Sequence, residues 1–99
     1  MLVIGGHIRL DPAKRDAAIA AATEMMEATH QETGCVSYVF SADFADPGLF
    51  HLFEEWETAE NLAAHGQAEH MATFQEKMAD FGVTERSIHV YDCSSKKQL

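Results

Sequence analysis

Two histidines five residues apart, His65 and His70, are the side chains of this sequence best suited to move a proton. Imidazole ordinarily titrates near neutrality, so it can take or give a proton at physiological pH. On one continuous helix the pair would stand ~140° apart and could not serve the same face. Gly66 lies between them, and a division or bend there would remove the conflict. Glu54 stands two residues before Trp56, so on a strand they share a face: the acid could orient a partner and the indole could wall an aromatic pocket. Tyr38 can offer its hydroxyl to a ligand oxygen, and Phe74 and Met78, one helical turn apart, can add apolar wall. Each of these also has a plain packing role, and the residues alone leave both readings open.

Other chemistries find less support. The chain has no Ser-His-Asp order, glycine-rich phosphate loop or nucleophile elbow. Its six histidines are scattered, and two on one helix face need a spacing of three or four, so neither a compact His/Cys/carboxylate cluster nor a metal is expected. Sixteen acidic side chains against seven Lys and Arg give a net charge of −9, which repels phosphate backbones and anionic lipid. Nucleic acid and membrane are therefore poor partners. Residues 1–10 lack the basic start of a secretory leader, and no apolar run approaches a membrane span. Two cysteines, Cys35 and Cys93, make no disulfide framework, and a reducing cytoplasm is expected.

These residues must be positioned by a small set of elements. Residues 2–10 alternate as a strand, with Leu2, Ile4, Ile8 and Leu10 on one face and Val3, His7 and Arg9 on the other. Gly5-Gly6 inside it implies a bulge or a close backbone approach. Asp11-Pro12 starts a helix over 13–32, with a buried stripe of Ile19, Ala22, Met25, Met26 and Thr29 and a stop at Gly34. A strand follows at 35–42, where Val36, Tyr38 and Phe40 oppose Ser37 and Ser41. Asp46-Pro47-Gly48 turns the chain into a strand at 49–56. Thr58 caps a helical region over 58–81, whose second half buries His70, Met71, Phe74, Met78 and Phe81; a last strand runs 84–91.

Strand, helix, strand, strand, helix, strand is the split β-α-β plan of an α+β, ferredoxin-like domain with a four-stranded antiparallel sheet. One such domain over residues 1–93, followed by a loose tail at 94–99, accounts for the chain. In this plan both helices cover one face of the sheet, and the other face should be polar. The third strand is apolar on both faces, with Phe50, Leu52 and Trp56 opposed to Leu49 and Phe53. An uncovered apolar sheet face marks association, and a face-to-face homodimer is expected. Strands two and four form opposite edges in this plan, too far apart for Cys35 and Cys93 to pair.

Four stretches resemble the antibiotic biosynthesis monooxygenase family, particularly its quinol monooxygenase-like members: His7-Ile8-Arg9, Gly34-Cys35-x-x-Tyr38, Glu54-x-Trp56 and Leu62-x-x-His65-x-x-x-x-His70-Met71. The resemblance implies a dimeric α+β barrel with a pocket in each subunit between sheet and helices. It implies oxygenation of a quinol, phenol or similar electron-rich aromatic substrate by O₂ without metal or flavin, the deprotonated substrate itself reducing oxygen. His65 or His70 would be the base, and Trp56, Tyr38, Phe74, Glu54 and Met78 would bind the ring. The same family plan includes an isomerase of a small phosphorylated sugar-like signal, for which the chain offers only Arg9, Arg15 and Arg86. It also includes haem degraders, whose asparagine before the strand-one Arg-Leu pair is replaced here by Ile8 and whose proximal histidine would fall near Phe74 or Gln75. A dimeric ligand-binding protein without catalysis is the remaining alternative, since fold does not fix function.

Overall fold

A computed structural model describes all residues, Met1–Leu99. Its strands are β1 (Leu2–Arg9), β2 (Cys35–Ala42), β3 (Leu49–Trp56) and β4 (Glu85–Asp92). Its helices are α1 (Arg15–Thr29), α2 (Ala59–Gly66) and α3 (Glu69–Met78), with a short 3₁₀ turn at Pro12–Lys14 before α1. The fold is α+β and ferredoxin-like: one open antiparallel sheet in the order β2-β3-β1-β4, with the helices packed on one side. No helix is long and apolar enough to cross a membrane.

Period-two patterning sets which side chains meet the helices. Along β3 the even residues Phe50, Leu52, Glu54 and Trp56 are buried, whereas Phe53 on the odd face is exposed. Pairing of Ile8 with Phe50 and Phe40 with Leu52 brings the matching faces of β1 and β2 into the same core layer. In the middle of β1, Gly6 lies so close to β4 that a Cβ would fall 2.0 Å from the Ser87 carbonyl oxygen. Of the two glycines, Gly6 thus marks the close backbone approach.

On the helix side, α1 buries Ala18, Ala21, Ala22, Met25 and Thr29. The alanines let the helix lie near the sheet. Ile19, expected in this stripe, is 39% exposed, because the buried face is centred one position away and a neighbouring residue is turned by about 100°. Val36 is likewise exposed rather than aligned with Tyr38 and Phe40, since a bulge between Cys35 and Ser37 shifts the register there.

The helical region over 58–81, expected to divide or bend at Gly66, is two helices. Thr58 caps the first, its Oγ1 accepting from the Asn61 N–H at 3.1 Å. Gly66 is the last residue of α2, and the break is made by the extended backbone of Ala68, which starts α3. Cys35 and Cys93 lie at opposite sheet edges and both are free thiols. Residues 94–99 are exposed beyond β4, with the Lys96 ammonium 2.8 Å from a Glu55 oxygen.

The β2–β3 connection is held by carboxylates. Asp43 accepts from the Ala45 and Asp46 N–H groups and pairs with His51 at 2.9 Å; Asp46 accepts from Gly48 N–H and pairs with Arg9. The His51 contact and the two N–H donors hold the Asp43 carboxyl down to about 2. A folded-state value below the unfolded one adds stability above the ordinary aspartate range that is lost as pH falls through about 2. Urea midpoints should therefore drop between pH 4 and pH 2, and Asp43→Asn should flatten that slope; an unchanged slope would show the connection contributes nothing in acid.

Candidate active site

His65 occupies the last turn of α2, and its side chain is 2% exposed. Its ring packs on Trp56 at 4.8 Å between centroids and on Tyr38 at 5.4 Å. The Nδ1 atom lies 2.6 Å from a Glu32 oxygen, and His70 Nε2 lies 2.9 Å from the same oxygen. An ionised carboxylate only accepts, so both imidazole nitrogens donate to it. A neutral His65 then carries its lone pair on Nε2, and that nitrogen is buried without a partner.

Glu32 reaches this point through the turn between α1 and β2. Gly34 in that turn has φ +80°, and a Cβ there would sit 2.1 Å from the Asn61 side chain. The glycine lets the turn press against α2 one helical turn before His65. The α2/α3 break does the rest: by re-aiming the chain at Ala68 it returns His70 to the same carboxylate. The two histidines converge on Glu32 although they stand on different helices.

His65 lines a cavity of about 520 Å³ between the sheet and α2–α3. Its apolar wall comes from Ile4, Ile8, Phe40, Leu52 and Ile88 on the sheet and Leu62, Met71, Phe74 and Met78 on the helices. The polar groups are Tyr38, Glu54, His65, Gln75 and Arg86. Such a volume suits a small ring system. Burial first, and then the nearby Glu54 and Glu32 charges, push the Tyr38 hydroxyl well above its ordinary range, so it remains a donor. Burial also raises the Glu54 carboxyl, opposed by the Trp56 Nε1–H bond at 2.8 Å.

Of the site residues read from the sequence, His65, Tyr38, Glu54, Phe74 and Met78 line this cavity. Trp56 and His70 do not. Trp56 is fully buried at the end of β3, behind the His65 ring, where it backs the imidazole and donates to Glu54. His70, 28% exposed, faces a separate groove of about 330 Å³ between α1 and α3. The expectation that no compact His/carboxylate cluster exists is also corrected: donor atoms of Glu32, His65 and His70 lie within 4.8 Å of one another. Sequence spacing could not place Glu32, which is 33 residues from His65. Arg86 was within reach of strand parity, because it shares the inward face of β4 with Ile88.

The remaining histidines pair elsewhere. His7 lies 3.8 Å from Glu85, His51 pairs with Asp43, and His30 Nε2 is 2.8 Å from the Tyr38 carbonyl oxygen. His89 is exposed.

Comparison with known proteins agrees with this fold. The family model for antibiotic biosynthesis monooxygenase matches residues 1–77. An uncharacterized protein of Synechocystis sp. is 30% identical over 98 residues, spanning 99% of this chain and 67% of that protein. Among solved structures, a candidate antibiotic biosynthesis monooxygenase from Nitrosomonas europaea superposes with a TM-score of 0.88 at 24% identity, covering 96% of this chain and 100% of that one. Another from Deinococcus radiodurans gives 0.91 at 21% identity, covering 100% and 98%. At those identities the structures speak for the fold alone, whereas the family model covers most of the sequence. The chain therefore belongs to the antibiotic biosynthesis monooxygenase family.

Proposed function

We propose that this protein is a cofactor-independent monooxygenase that oxidises a quinol, phenol or similar electron-rich ring with O₂. Family membership and the monooxygenase names of its structural neighbours support a monooxygenase-like role. The observation that carries the finer reading is the His65 ring: Nδ1 tied to Glu32, Nε2 buried and unpartnered, in the wall of an apolar cavity of ring size.

Nε2 takes the ring hydroxyl proton, and Glu32 stabilises the imidazolium that results, as an orienting carboxylate does for a catalytic histidine. The phenolate, unlike the phenol, is electron-rich enough to reduce O₂. One electron passes to oxygen, the two radicals combine to form a C–O bond, and the ring peroxide loses water as its O–O bond breaks. A phenol and O₂ thus give a quinone and water, one oxygen atom staying on the ring. Tyr38 and Gln75 supply hydrogen bonds that orient the ring oxygen, and Phe74 and Met78 form its apolar wall. The isomerase alternative requires a phosphate cradle, for which the cavity offers Arg86 as its lone cation, with Glu54 in the same wall.

The test is oxygen uptake with reduced naphthoquinones and simple phenols, under ¹⁸O₂, against the uncatalysed background. A rate above background with one labelled atom retained per product supports the reading. Uptake equal to background across the set removes it.

A homodimer packed through the bare sheet face accompanies this proposal. Val39, Phe53 and Tyr91 are 43%, 46% and 54% exposed on the face away from the helices, Val39 and Phe53 being direct cross-strand neighbours. Light scattering should return about twice the 11.0 kDa chain mass, and Phe53→Asp should shift it toward the single chain. A wild-type mass of one chain at micromolar concentration would dismiss the dimer.

A further inference from the structure

We infer that Glu32, His65 and His70 form a binding site for a first-row divalent cation of the Zn²⁺ and Fe²⁺ class. Two imidazoles and one carboxylate are the donor set such ions favour when a position is left for water. The three donor atoms, His65 Nδ1, His70 Nε2 and Glu32 Oε2, lie within 4.8 Å of one another. They come from three separate segments: the turn after α1, the end of α2 and the start of α3. Such a site is held by tertiary structure rather than by one flexible loop.

The dimensions suit an ion in place of the shared protons. Tetrahedral ligands at metal–ligand distances of ~2.1 Å stand about 3.4 Å apart. The Glu32 oxygen now lies 2.6 and 2.9 Å from the two nitrogens, so those separations must open by less than about 1 Å, and the two nitrogens, within 4.8 Å of each other, must come to about 3.4 Å. Both imidazoles are already aimed at the carboxylate, and the protons they donate are the ones an ion displaces.

An ion can also reach the site. His70 is 28% exposed and lines the groove between α1 and α3, whose wall includes Glu69 and the Glu24–Lys77 ion pair. With a net charge of −9 the surface draws cations. His65 Nε2 is on the far side of its ring from Glu32, buried and without a partner, so metal on Nδ1 leaves that nitrogen uncoordinated. Other histidine–carboxylate contacts, His51 with Asp43 and His7 with Glu85, have two donors each and hold an ion less tightly.

Occupancy has a consequence that rests on the oxygenase reading. A neutral imidazole bound through Nδ1 carries its proton on Nε2, which then donates and cannot act as a base. Zn²⁺ would silence His65 by changing which nitrogen holds the proton. Binding itself stands apart from that reading, because it is measured without any substrate.

The experiment is calorimetric titration of the metal-free full chain with Zn²⁺, paired with visible absorption of added Co²⁺. One ion should bind per chain, with the ligand-field bands of a four- or five-coordinate Co²⁺. His70→Ala and Glu32→Gln should each weaken binding by about tenfold or more, and His51→Ala should leave it unchanged. The two affected side chains are only partly buried and Glu32→Gln is isosteric, so circular dichroism and melting should match the parent. Absence of heat and of Co²⁺ bands at millimolar ion would overturn the site. So would binding that survives both substitutions, or that His51→Ala abolishes. Zn²⁺ inhibition of oxygen uptake is a separate readout, and a protein that binds Zn²⁺ but oxidises nothing would refute the oxygenase and leave the metal site intact.

Discussion

Replacing His65 with glutamine is expected to lower kcat for oxygen-dependent oxidation by roughly 10²–10⁴-fold, the usual contribution of a positioned general base. That range corresponds to about 2.7–5.4 kcal/mol of transition-state stabilisation. Glutamine is the informative replacement because the position is buried. Alanine would leave a void against Trp56 and Tyr38, and a loss of activity could then be a loss of packing. A glutamine amide can still donate to Glu32, but it supplies no basic lone pair to the cavity. KM should change little, since the apolar wall that holds the ring is untouched.

Glu32→Gln tests the other half of the pair. The base survives, but the carboxylate that fixes its tautomer and stabilises the imidazolium is gone, so kcat should fall by a smaller factor. Both variants should be compared at several pH values, with oxygen uptake and product formation followed together. Wild-type rates in His65→Gln would mean that proton removal happens elsewhere, and the proposed mechanism would fail.

Trp56→Ala should destabilise the fold by about 3–5 kcal/mol, the range for deleting a large buried aromatic side chain. The indole is fully buried, packs on the His65 ring and donates to Glu54. Domains of this size have only about 5–15 kcal/mol to lose, so the variant should unfold at a much lower urea concentration. Trp56→Phe separates the two contributions. Most of the apolar contact remains, but the Glu54 carboxylate is left buried without its donor, at a cost of about 1–3 kcal/mol.

Glu54 adds a pH signature to the phenylalanine variant. Burial raises its carboxyl and the indole N–H opposes that rise, so removing the N–H pushes it further up. A carboxyl raised in the folded state contributes stability below its unfolded pKa, and that contribution is lost as pH rises. The destabilisation by Trp56→Phe should therefore be smaller near pH 4 than near pH 7. A penalty independent of pH would show that the hydrogen bond to Glu54 does not bear on stability.

Periodicity and turn chemistry in the sequence were enough for the element order, the strand ranges 35–42 and 49–56, and the helix-facing side of β3. Those features arise from contacts near in the chain: alternating burial, Asp11-Pro12 at a helix start, Asp46-Pro47-Gly48 at a turn. Where a tertiary neighbour intervened, local pattern misled. The bulge in β2 displaced Val36, and the packing angle of α1 left Ile19 at the surface.

The composition of the candidate site was partly legible too, because strand parity put Tyr38 and Glu54 on inward faces and helical spacing put Phe74 and Met78 in one stripe. Its arrangement was not. His65 and His70 sit ~140° apart on any ideal helix, and only the extended backbone at Ala68 turns both toward Glu32. Which imidazole faces the cavity, which faces the groove, and that a carboxylate from the α1–β2 turn joins them are matters of three-dimensional packing. Sequence spacing reports neighbours within one element; a contact across 33 residues exists only after the sheet and helices have closed on one another.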